Sequence, residues 1–169
     1  MAAKKTKPSF WLFKSEPDVF SIDDLKRDRR TSWEGVRNYQ ARNLLRDDMK
    51  VGDGVLFYHS NAKPLAVVGV AKIVRAGYPD HFAWEPGHKY FDPKCDPDDP
   101  AWYMVDVSFV AAFDEPVTRD AMQSEPSLAD MMVLRRGARL SVQPVTPDEW
   151  RTVVGMGLGA RAKGVLAKF

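Results

Sequence analysis

The sequence predicts a single α+β domain on a curved, mainly antiparallel sheet or small barrel, and three observations carry that prediction. Its 169 residues suit one domain of ordinary size. Strand-like apolar runs recur at 10–13, 55–58, 65–74, 102–113 and 139–144, separated by short helical patterns in no regular alternation. No repeat, linker or low-complexity stretch divides the chain. The organisation expected is a flexible basic tail at 1–8, one domain over 9–155 and a flexible tail at 156–169.

Taken in order, Phe10-Trp11-Leu12-Phe13 reads as a buried strand ended by Ser15-Glu16-Pro17, because proline removes an amide donor. Ser21 caps a short helix whose Asp23 and Asp24 favour its N-terminal dipole, and the basic run 26–30 leads to Trp33. Ala41, Leu44, Leu45 and Met49 repeat at helical spacing, predicting a helix over 39–48 capped by Asn38. The free amides at that helix start, with Arg37 and Arg42, suggest an anion site. A turn at 51–54 precedes the strand Val55-Leu56-Phe57-Tyr58 and the polar cluster His59-Ser60-Asn61. In the next strand, over 65–74, Gly69 marks a bulge or a close approach of backbone.

Residues 75–100 form an irregular segment with five prolines, the length of a functional loop or lid. The strand over 102–113 puts Tyr103, Val105, Val107 and Phe109 on one face, and helical turns begun by Thr118 and Ser127 carry Met122, Met131 and Met132 to the core. After a closing strand at 139–144, Thr146-Pro147-Asp148-Glu149-Trp150 is a helix start with a capping box, and Gly155 is its expected end.

Composition narrows the function. With 44% hydrophobic and 28% charged residues the chain is globular, neither disordered nor membrane-spanning. A formal net charge of +2 means that nucleic-acid affinity must come from local clustering. Cys95 is the only cysteine, which rules out an intrachain disulfide and suits a reducing compartment. Lys4, Lys5 and Lys7 precede an apolar run too short for a signal-peptide core, so a soluble cytoplasmic protein, nuclear in a eukaryote, is expected.

Motifs of catalysis are missing: there is no glycine-rich phosphate loop, no Gly-x-Ser-x-Gly elbow and no His-Glu-x-x-His helix. The spacing of His81, His88 and Cys95 fits no standard zinc pattern, so no metal and no cofactor are expected. Lys14 and Glu16, beside Ser15 and His59, are the one set assignable to acid–base work. The balance is against an enzyme.

The most telling stretch is Trp33-Glu34-Gly35-Val36-Arg37-Asn38-Tyr39-Gln40-Ala41-Arg42-Asn43. Arginine, asparagine and glutamine offer planar hydrogen-bond edges that read bases or grip phosphate, and tryptophan and tyrosine offer faces for stacking. Gly35 lets such a loop curl around a ligand. Together with Trp11-Leu12-Phe13-Lys14-Ser15-Glu16-Pro17, Tyr58-His59-Ser60-Asn61, Tyr90-Phe91-Asp92-Pro93 and Arg139-Leu140-Ser141-Val142-Gln143-Pro144, it resembles the EVE domain over nearly the whole chain. Cys95 is a departure, standing where many members have a small polar residue.

The resemblance implies a PUA-like pseudo-barrel flanked by short helices and a non-catalytic reader of modified bases, such as methylated or oxidised cytosine. Its partner would be DNA or RNA carrying the modification, bound by a monomer. By motif position, the pocket for a flipped-out base would be lined by Lys14, Ser15, Trp33, Arg37, Asn38, Tyr58, His59, Ser60 and Asn61. Arg37 and Lys14 would hold flanking phosphates. The alternatives are a hydrolase of modified nucleosides, as among related ASCH proteins, and an RNA-binding module.

Overall fold

The structure, a computed structural model, describes residues 7–169. Lys4 and Lys5, with most of the expected basic tail, lie outside the described residues. Six strands form one sheet in the order β2-β5-β4-β3-β1-β6: β1 is Phe10–Ser15, β2 Arg30–Ser32, β3 Gly54–His59, β4 Ala66–Pro79, β5 Tyr103–Thr118 and β6 Val142–Val145. The predicted α+β, PUA-like architecture is the one found, with a sheet that stays open. The neighbours β3 and β1 run parallel, from Phe10 opposite Gly54 to Ser15 opposite His59, and all other neighbours are antiparallel.

Alternation along β1 explains why both faces of the sheet are covered. Trp11 and Phe13 enter one apolar cluster and Leu12 enters the other. The first cluster is roofed by α1 (Ile22–Asp28) and α2 (Tyr39–Asn43), through Ile22, Leu25, Ala41 and, just beyond α2, Leu45. The second is roofed by α3 (Arg119–Gln123) and α4 (Pro147–Leu158), through Met122, Trp150, Val153 and Val154. Beneath β1, the Asp53 carboxylate is buried and accepts from Ser9 N, Trp11 Nε1 and Lys50 N, tying the chain's entry to the turn before β3.

At Ser21, Asn38 and Thr146 caps form where the sequence placed them. Ser21 and Asp24 make a reciprocal capping box, Asn38 accepts from Ala41 N, and Thr146 pairs with Glu149 in the same way. At Gly69 the register of β4 slips against both β3 and β5. A Cβ there would stand 2.6 Å from Ile22 Cδ1 and 2.7 Å from Ala111 O, so glycine lets α1 and β5 close over the strand.

Several boundaries differ from those expected. The helix after Asn38 is α for five residues and then widens into a π turn at Leu44–Asp48. β4 reaches Pro79 and β5 reaches Thr118, because pairing with each other satisfies backbone that local pattern left irregular. The turn expected at Ser127 starts at Pro126 and is capped by Glu125. Met132 is only half buried, whereas Met122 and Met131 are core.

The largest correction concerns residues 156–169, which are not a loose tail. α4 passes Gly155 and ends at Gly159, whose φ of 54° stops it, and a 3-10 turn leads into α5 (Ala162–Leu166). Gly157 is needed inside α4 because a side chain there would collide with the Phe113 ring. Ala162 and Val165 are buried, and Phe169 meets the Trp150 ring at 5.1 Å between centroids. Packing thus overrides the poor helix propensity of a glycine-rich stretch.

Candidate nucleic-acid interface

At the end of the sheet where β1 and β3 both terminate, a cavity of about 520 Å³ opens between five segments of the chain. β1 and its exit supply Lys14, Ser15 and Glu16, and Trp33, Glu34 and Gly35 follow directly from β2. Ser60 enters after β3, Lys89 and Tyr90 come from the long loop, and Arg139 and Ser141 precede β6. Backbone bonds hold the walls together: Ser60 N donates to Ser15 O at 3.0 Å and Lys14 N to Ser141 O at 2.8 Å. A rigid sheet end therefore carries the groups, as is usual for binding sites built on loops.

Trp33 forms one wall. Its backbone N–H donates to Val105 O at 2.8 Å, and its ring rests on Phe13 at 5.1 Å and edge-on to Phe57 at 5.6 Å. The indole is thus backed by core aromatics while it borders the cavity, half buried with its ring held in place. Gly35 follows with φ of 86°, and a side chain there would run into the Tyr90 ring. The glycine provides both the curl and the close approach expected of it.

Lys14, Ser15, Trp33 and Ser60 are brought to the cavity; the other five nominated residues are not among its lining side chains. Arg37 donates to Asp80 Oδ2 at 2.9 Å and to Tyr90 O at 2.7 Å, with its guanidinium near the Tyr90 and Trp102 rings. It pins the long loop instead of facing a ligand. The Asn38 side chain is consumed as the cap of α2. Tyr58 is 3% exposed within the core on the sheet's other face. Asn61, at φ of 48°, borders a separate shallow depression with Lys63 and Leu65.

His59 is a strut. Its Nε2 accepts from Ile22 N at 3.1 Å, which places the neutral ring's proton on Nδ1. Burial pushes its pKa down, against a smaller opposing pull from Asp23. The Ser15 hydroxyl donates to Phe20 O at 2.6 Å, so it faces the cavity as an acceptor. With the Ser15 proton and His59 Nε2 both committed, no serine–histidine relay is assembled. Lys14 reaches Ala138 O at 3.5 Å, and burial, then the Arg119 charge, pushes its pKa down.

The anion site expected at the start of α2 is also displaced. Arg42 donates to Ala101 O at 2.6 Å and lies over Tyr39, whose ring stacks on Trp102 at 4.8 Å. Both arginines lock the long loop onto residues 33–43, and Trp102 Nε1 adds a bond to Asp92 at 2.8 Å. The loop is therefore a braced wall. Among the described residues, no group of three or more His, Cys, Asp or Glu side chains is placed to hold a metal ion, and no helix is long and apolar enough to cross a membrane.

Comparison with known proteins gives the family. Residues 9–156 match the EVE domain. The chain belongs to the EVE domain family. Human thymocyte nuclear protein 1 is 40% identical over 170 residues, an alignment covering 90% of this chain and 75% of the human protein. A solved protein from Leishmania major is 45% identical with a TM-score of 0.84, covering 89% of this chain and 95% of that one. The human THYN1 protein, solved in complex with 5-methylcytosine-containing DNA, is 40% identical with a TM-score of 0.82, covering 88% of this chain and 97% of that one.

In this EVE domain, pattern reasoning missed Glu34, Lys89, Tyr90, Arg139 and Ser141 as cavity residues. All lie in motifs quoted for the resemblance or next to them. Their inward placement depends on loops meeting across the sheet end, for which local sequence carries no signal.

Proposed function

We propose that this EVE domain reads modified cytosine in DNA and receives the extruded base in the cavity beside Trp33. The supporting observation is the cavity itself: a backed indole face, hydroxyls of Ser15, Ser60 and Ser141, and a cationic rim of Lys14, Lys89 and Arg139 in one recess. The THYN1 complex with 5-methylcytosine-containing DNA points to the same chemistry in a relative. Taking a base out of its stack costs a few kcal/mol, which aromatic contact and edge hydrogen bonds must offset. Trp33 supplies the face, and Ser15, limited to accepting, suits a donor on the base edge.

The test is titration with duplexes that differ only in one cytosine, methylated or plain. The native protein should prefer the methylated duplex. Trp33→Ala should weaken that binding by about 1–3 kcal/mol, the value of one stacked base. Trp33→Phe, which keeps contact with Phe13 and Phe57, should recover part of it. Equal affinity of the native protein for both duplexes would overturn the proposal.

Phosphate contacts fall to the rim, since Arg37 is already engaged with Asp80 and Tyr90. Arg139 is exposed beside the cavity and is placed for a flanking phosphate. Arg139→Ala should lower the slope of log affinity against log salt by about 0.9, the release of one counterion, and leave the methylated-to-plain ratio unchanged. An unaltered slope would remove Arg139 from the backbone contacts.

A further inference from the structure

We infer that Glu34 is the residue by which this cavity accepts 5-methylcytosine and rejects thymine. The inference rests on the base-reading proposal and names its selectivity determinant. Thymine carries the same C5 methyl and the same O2 as 5-methylcytosine, so neither a methyl-sized niche nor stacking on Trp33 separates the two. They differ along the edge that holds position 4, where cytosine presents an amino donor and thymine a carbonyl acceptor. Thymine is a standard base of DNA, so a reader of methylated cytosine needs a group that senses this position.

Glu34 has the required chemistry. It follows Trp33 in the cavity wall and is half buried. Ser32 Oγ donates to Glu34 Oε2 at 2.7 Å, which fixes the carboxylate in the cavity wall. A carboxylate accepts from a cytosine amino group, whereas thymine O4 would set acceptor against acceptor where water is partly excluded. The rim cations Lys14, Lys89 and Arg139 are donors and would on their own favour the carbonyl of thymine. Glu16, the other carboxylate of the lining, is exposed on the β1 exit and, among the described residues, has no fixing partner of this kind.

The experiment measures affinity for two duplexes identical except for one base, 5-methylcytosine or thymine, each opposite an abasic site so that no base pair is broken. The native protein should prefer 5-methylcytosine at least tenfold. Glu34→Gln should collapse the preference to threefold or less, because the carboxamide can rotate to donate to O4. Ser32→Ala should reduce it by releasing the carboxylate, and Glu115→Gln, which neutralises an exposed carboxylate on β5 outside the cavity, should leave it intact. Retention of the native preference in Glu34→Gln, or its loss in Glu115→Gln, overturns the inference while base reading stands. Failure of the native protein to prefer methylated over plain cytosine brings down both.

Discussion

Asp80→Ala is expected to lower stability by about 3 kcal/mol and to abolish modified-base preference in the same protein. The Asp80 side chain is fully buried and accepts from Gly35 N and Arg37 Nη1 at 2.9 Å and from Phe82 N at 3.1 Å. Removing it strands two backbone donors and leaves Arg37 without its counter-charge. The Arg37 side chain is 24% exposed, so water recovers part of that cost, which keeps the figure at the low end for a broken buried pair. The functional loss has a separate cause. The bond to Gly35 N anchors the turn after Trp33 and Glu34, which the Trp33 N–Val105 O bond ties to the sheet, and Arg37 carries the Tyr90 wall through its carbonyl. Denaturant unfolding and titration with methylated duplex check the two effects side by side. Asp80→Asn, which keeps an acceptor, should be milder in both, and a native unfolding midpoint together with native binding in Asp80→Ala would refute the account.

Trp150→Ala should show the opposite pattern, with a large loss of stability and an unchanged site. Trp150 is 1% exposed, stacks on Phe10 at 4.5 Å and meets Phe169 edge-on. Gly54 lies so close that a Cβ there would be 2.5 Å from Trp150 Cη2, leaving little room for the cavity to collapse. A cost of about 3–5 kcal/mol follows for a buried tryptophan truncated to alanine. For a domain of this size that corresponds to a fall of about 6–20 °C in Tm. Trp150 belongs to the cluster on the face of the sheet away from Trp33, so affinity for DNA, measured well below the lowered Tm, should stay within about twofold of native. A matching loss of affinity there would mean that the two faces are coupled.

These two variants separate what supports the fold from what shapes the site, a distinction local sequence expressed unevenly. The cap at Ser21 and the capping box at Thr146 were legible because a cap is set by residues three apart. The Trp33 to Asn43 stretch reads in sequence as recognition chemistry, and Arg37 and Asn38 within it serve the fold. A guanidinium edge suits a buried carboxylate as well as it suits a phosphate, and side-chain type does not say which it will meet. Tyr58 was misplaced for a simpler reason: alternation along β3 sends Phe57 and Tyr58 to opposite faces, and only Phe57 points towards Trp33.

The sequence by itself determined the α+β class, the identity of most elements, the family and four of the nominated residues that reach the cavity, Lys14, Ser15, Trp33 and Ser60. Those rest on short-range pattern and on motif, both written in contiguous residues. Tertiary structure alone decided that Glu34, Tyr90 and Arg139 face one recess, that Arg37 and Asp80 brace it, and that the glycine-rich C-terminus folds back as helix against Trp150 and Phe113. Each of these depends on contacts between segments distant in sequence, where packing and the satisfaction of buried polar groups outweigh local preference.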